Sequence, residues 1–100
     1  MGQSQSGSVW KISFSPAAER ALGKLDKTAQ AEIIQYLSKR IATSENPRRF
    51  GKALTHGLAG LWRYRIRDYR IVCRIEDNEI RVLVLGIGHR KEIYRWQTTK

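Results

Sequence analysis

The chain has 100 residues, 41% of them apolar, and its 19 Lys and Arg against 9 Asp and Glu leave a formal charge of +10. That length allows one domain with a modest core, and so large a cationic excess points to a polyanionic partner, nucleic acid first and an acidic protein second. A lone cysteine, Cys73, excludes a disulfide framework or multi-cysteine metal site, His56 and His89 have no ligand-spaced partners, and neither a secretory signal nor a run of about 20 apolar residues is present, so the expectation is a cytoplasmic protein that does not enter a membrane.

Residues 1–8 hold nothing apolar after Met1 and read as a disordered leader or expression remnant outside the fold. The single domain is expected over residues 9–96, with a tail at 97–100. Residues 9–14 alternate, with Trp10, Ile12 and Phe14 on one side, which predicts a half-buried strand. Ser15 then Pro16 form a helix start, since serine caps and proline suits the first helical position. Gly23 interrupts that helix early. Asp26 caps a second, longer helix in which Ala29, Ile33, Leu37 and Ile41 recur at four-residue spacing with Ile34 beside them. Glu32, Gln35, Lys39 and Arg40 lie opposite, in water. Pro47 ends the pattern, and residues 46–60, with Gly51, Gly57 and Gly60, read as a connecting loop.

Three strands follow. Residues 61–67 and 69–76 form a tight hairpin; with Arg67 and Asp68 as the turn, Arg65 faces Arg70 and Arg63 faces Val72. One face then collects Trp62, Tyr64, Ile66, Tyr69, Ile71 and Cys73, and the other collects arginine. Asp77 and Asn78 supply a second turn. Residues 80–87 contain the unbroken run Val82, Leu83, Val84, Leu85, typical of a strand buried on both faces. The order predicts an α+β domain, two N-terminal helices packed on one face of a small, mainly antiparallel sheet.

Like charges opposite one another weaken a hairpin, so Arg65 across from Arg70, with Arg63 and Arg74 nearby, looks like a cost tolerated for binding. The competing reading pairs these arginines with Asp68, Glu76 or Glu79 at the rim, but exposed pairs contribute little and do not explain why arginine recurs. The planar guanidinium fork bonds two phosphate oxygens at once. After the last strand, Gly86 and Gly88 loosen the backbone, by a bulge in the plainest reading, and His89, Arg90, Lys91 and Tyr94 follow. A metal-dependent nuclease needs clustered carboxylates or histidines, which this segment lacks. RNA brings its own nucleophile, the 2′-hydroxyl; the protein then has to supply in-line positioning, a proton acceptor, a proton donor and positive charge.

The link LDK at 25–27, the stretch GLWRYRIRDYRIVCRIED at 60–77 and IGHRKEIY at 87–94 together resemble the RelE toxins of the RelE/ParE superfamily, toxin components of type II toxin–antitoxin modules. The resemblance spans residues 9–95. It implies a microbial ribonuclease-like RelE fold and a messenger RNA endoribonuclease acting in the ribosomal A site. The implied reaction is metal-free attack of the 2′-hydroxyl, leaving a cyclic 2′,3′-phosphate and a 5′-hydroxyl, with no cofactor. Carried over by position, the site falls on Arg63, Arg65, Arg70, Arg90 and Tyr94. The family pattern has lysines where Arg63 and Arg65 stand, and arginine does not give up its proton, so the acceptor is Tyr94 or His89 and the donor Arg90 or His89. Arg63 and Arg65 are then phosphate clamps, and Arg70 the main stabiliser of the transition state. Arg67, Arg74 and Lys91 complete the expected RNA-binding set. The partners implied are an acidic, partly disordered RelB-like antitoxin, the ribosome with its message, and operator DNA for the toxin–antitoxin complex only. The alternative is a ParE-like toxin that inhibits DNA gyrase without cutting nucleic acid; a non-catalytic nucleic-acid binder is a third reading.

Overall fold

In the computed structural model, which describes residues 9–55, 57–58 and 60–89, the Ser15 hydroxyl accepts from the Ala18 backbone N–H at 3.1 Å and Pro16 sits where a helix needs no N–H. Helix α1 (Pro16–Gly23) thus starts directly after strand β1 (Lys11–Phe14). Asp26 caps helix α2 (Lys27–Tyr36) by accepting from Ala29 at 2.8 Å. The Gln30 amide donates to the carbonyls of Leu22 and Leu25, both at 3.0 Å, which satisfies backbone acceptors at the end of α1 and fixes the two helices to each other.

Ala29, Ile33, Leu37 and Ile41 are all buried, as their spacing predicts. Four-residue spacing overshoots an α-helical turn by about 40° per step. A wider π-helical turn, Leu37–Ile41, closed by the Ala42 N–H on the Leu37 carbonyl at 2.8 Å, takes up the overshoot and returns Ile41 to the core.

The sheet has five strands in the order β1-β5-β4-β3-β2, with β3 (Trp62–Ile66), β4 (Tyr69–Glu76) and β5 (Arg81–His89). Strand β1 runs parallel to β5 and every other pairing is antiparallel. The predicted loop 46–60 contains the short strand β2 (Lys52–Ala53), paired with Trp62 and Arg63. Gly51 makes this possible, because it sits at φ 80° and a β-carbon there would collide with the Arg63 carbonyl and the Trp62 indole. Two polar side chains tie the same loop down: Trp62 Nε1 donates to the Phe50 carbonyl at 2.7 Å and the buried Tyr64 hydroxyl to the Pro47 carbonyl at 2.8 Å.

Tyr64, Ile71, Cys73, Val82 and Val84 bury completely, in one cluster with Ala18, Ile33, Leu37 and Ile41. Both helices therefore cover one sheet face. For that reason β5 departs from the expectation of two buried faces: Val82 and Val84 are in the core, whereas Leu83 and Leu85 are only half-buried. Among the described residues no helix is long and apolar enough to cross a membrane.

Candidate functional site

The β3–β4 hairpin has the register that alternation predicts, Arg65 opposite Arg70 and Arg63 opposite Val72. On its far side β4 pairs with β5 through a bulge: Val72 faces Gly86 and Cys73 faces Val84, so Leu85 is the extra residue. The Ser15 hydroxyl, which also caps α1, donates to the Leu85 carbonyl at 3.3 Å. Beyond the bulge, Gly86 and Gly88 are the β5 partners of Val72 and Arg70. A strip without side chains therefore runs beside Arg70 on the sheet face away from the helices.

Arg70 is only 7% exposed, and its Nε and Nη1 have no hydrogen-bond partner among the described residues. A buried guanidinium without an acceptor is costly. An anion delivered to this face would supply the missing acceptors. Arg65, its cross-strand neighbour, is exposed and forms no ion pair with a described carboxylate. Arg63 is half-buried beside them, over Val72. Three guanidinium groups thus share one face, the arrangement expected of a phosphate clamp.

Other expected site residues go elsewhere. Arg67 takes the first turn position at φ 55°, a conformation that favours glycine, and its guanidinium reaches Glu32 of α2 at 3.1 Å. Arg74 lies 3.9 Å from Glu76, a carboxylate that also holds Arg81 at 2.6 Å. The rim pairing considered from sequence is therefore found for Arg74 but not for Arg65 or Arg70.

His89 departs most from expectation. Val82 and Val84 face the core, so an unbroken strand would put Ile87 and His89 on the arginine face. The extra residue Leu85 reverses that parity. Ile87 is buried in the core cluster, and the His89 ring packs on Tyr69, centroids 4.7 Å apart, in a cleft of about 270 Å³ against α1. His89 is thus separated by the sheet from Arg65 and Arg70. Arg20 and Lys24 of α1 share that cleft and were not singled out from sequence, although their four-residue spacing at the end of a helix was a readable signal. Arg90, Lys91 and Tyr94 lie outside the described residues, as do the leader 1–8, His56 and the tail 97–100.

Electrostatic perturbation among the described groups is structural in origin. Burial pushes the Cys73 thiol and the Tyr64 phenol well above their ordinary ranges. At the opposite end of β4, Arg48 grips Asp77 with two hydrogen bonds of 2.9 Å and holds that carboxyl below its usual range. Among the described residues no three His, Cys, Asp or Glu side chains gather where they could hold a metal ion.

A family model described as the ParE toxin of the type II toxin–antitoxin system parDE matches residues 12–94. Toxin RelG of Mycobacterium tuberculosis is 34% identical over 86 residues, covering 86% of this chain and 97% of that toxin. The chain belongs to the RelE/ParE superfamily of type II toxin–antitoxin toxins. Toxin RelE of the same organism is 31% identical, again over 86% of this chain and 87% of its own length. Both relatives carry RelE-type names, which does not favour the gyrase-directed alternative. Among solved structures, the RelBE2 toxin–antitoxin complex of M. tuberculosis aligns with a TM-score of 0.74 at 30% identity, over 81% of this chain and 91% of that one. The isolated E. coli RelE toxin aligns with a TM-score of 0.64 over 90% of this chain and 96% of its own, and at 19% identity shows the shared fold alone. This toxin has the α+β RelE fold.

Proposed function

We propose that this toxin is a metal-independent endoribonuclease that cuts messenger RNA in the ribosomal A site of a bacterial cytoplasm and so stops translation. The observation that carries the reading is Arg70, a guanidinium 7% exposed whose Nε and Nη1 lack acceptors. A phosphate oxygen satisfies both its charge and its donors, and the charge gained by a phosphorane-like transition state strengthens that contact as the reaction proceeds. Arg65 and Arg63 clamp the same phosphodiester. The substrate's 2′-hydroxyl is the nucleophile, so the protein needs to align it and move two protons. With the His89 ring on the α1 side of the sheet, the proton acceptor is Tyr94, the other candidate that the family resemblance implies. Arg90 then serves the departing 5′ oxygen as charge partner and proton donor. Lys91 contacts the RNA backbone.

The likeness to RelBE complexes supports an acidic, partly disordered RelB-like antitoxin as the partner that keeps the toxin silent, with operator DNA bound only by the joint complex. The test is primer extension on translated message run beside a gyrase supercoiling assay. Breaks confined to ribosome-bound message, lost in Arg70→Ala, are expected. Intact message with blocked supercoiling would refute the nuclease.

A further inference from the structure

We infer that the cleft between α1 and the end of β5 is a second subsite for single-stranded RNA, holding the strand as it runs off the Arg70 face. The inference rests on the nuclease reading only for the direction in which the strand arrives. Ala17, Arg20, Ala21 and Lys24 present one face of α1 to the cleft, and Leu25, Ile87, Gly88 and His89 close it. Apart from two cations and an imidazole the lining residues are apolar or glycine, and none carries a carboxylate.

Neither Arg20 nor Lys24 has an ion-pair partner among the described residues. Cations at the end of a helix favour its dipole, but that accounts for their charge and not for their convergence on a cleft. They stand one turn apart, about 6 Å at the β-carbons, close to the repeat of phosphates along an extended strand. The His89 ring, braced by Tyr69 at 4.7 Å, offers a π-face on which a base can stack.

Gly88 joins the cleft to the arginine face. It lines the cleft, and it is also the residue directly opposite Arg70 on β4. The described β1 pairing of β5 ends at Val84, so a strand whose phosphate meets Arg70 passes round the β5 edge at Gly88 to reach His89, Arg20 and Lys24 on the other face. An acidic peptide would also satisfy the cations, but it makes no use of the ring platform or of the passage to Arg70. RNA uses all of them.

Binding is read apart from cutting with a fluorescent 2′-O-methyl oligoadenylate, which has no hydroxyl nucleophile. Arg20→Ala/Lys24→Ala should weaken its binding about tenfold at low salt and flatten the slope of log K against log salt by about 1.4, two phosphates at ~0.7 each. Lys27→Ala, at an exposed cation outside the cleft, should change neither, and on programmed ribosomes the double variant should need more substrate for half-maximal cutting. Unchanged oligonucleotide affinity and slope overturn the inference. So does a double variant that loses only its affinity for the acidic antitoxin. Should wild-type protein leave message intact while the oligonucleotide result holds, the nuclease reading fails and the RNA subsite stands.

Discussion

Arg70 of β4 stands directly opposite Gly88 of β5, so the most buried cation of the sheet has a neighbour without a side chain. A side chain at position 88 would stand beside the guanidinium, on the path by which the proposed phosphodiester reaches it. A graded series, Gly88→Ala then Gly88→Val, should progressively close that path. Valine suits a strand better than glycine, so the fold should persist with an unchanged circular dichroism spectrum. Cutting of ribosome-bound message should fall by about a hundredfold in the valine variant, the scale at which small displacements of reacting groups act. Full activity in Gly88→Val would mean that the substrate does not approach along this strip.

The same guanidinium sets stability against function. Its Nε and Nη1 are buried without acceptors, and a thioether of similar length carries no such penalty. Arg70→Met should therefore raise the unfolding free energy by about 1–3 kcal/mol while abolishing RNA cleavage. Urea denaturation of the isolated toxin measures the first effect and primer extension the second. A less stable Arg70→Met variant would show that the group is compensated in solution, and the case for an anion at this position would weaken.

Much of this architecture can be read from the chain because a period of two assigns faces without further information. Trp62, Tyr64 and Ile66 alternating with Arg63 and Arg65, then the two-residue turn of Arg67 and Asp68, are enough to give the hairpin register. Ser15, Pro16 and Asp26 likewise mark helix starts through local hydrogen bonding alone. What alternation cannot carry is a change of parity. One additional residue, Leu85, moves His89 to the helix side and the glycines to the arginine side, and Ser15, distant in sequence, holds that residue's carbonyl. The hint was the pair Gly86 and Gly88, whose plainest reading is a bulge, but a bulge read from glycine alone does not say which residue is extra. Strand β2 was missed because a two-residue strand has no period to detect.

Arg65 and Arg74 look equivalent in sequence, each on the arginine face, but they differ in what they meet. Arg74 sits by Glu76, whereas Arg65 has no described carboxylate partner and faces Arg70. Arg65→Ala should relieve like-charge repulsion, adding a few tenths of a kcal/mol up to about 1 to stability, while reducing cleavage severely. Arg74→Ala should leave cleavage within a few-fold of wild type. Parallel single-turnover assays decide the matter, and equal losses in the two variants would refute the distinction.

Cys73 and Tyr64 fix how the fold responds to alkali. Both are fully buried, and burial raises the proton affinity of the thiol and the phenol in the folded state. The folded protein thus keeps protons that the unfolded chain releases, the thiol from about pH 8.5 and the phenol from about pH 10. Where the unfolded state binds fewer protons, stability falls as pH rises. From Cys73 alone the decline should approach about 1.4 kcal/mol per pH unit above the unfolded thiol's titration, while below that pH the contribution is fully retained. Urea midpoints between neutrality and pH 10 should fall accordingly in wild type, and Cys73→Val should flatten that limb up to the onset of phenol ionisation. The native thiol should also resist alkylation until the chain unfolds. Identical alkaline slopes in wild type and Cys73→Val, or rapid alkylation of the native protein, would show that the strand β4 core opens to water far more readily than its packing against Ile33 and Leu37 implies.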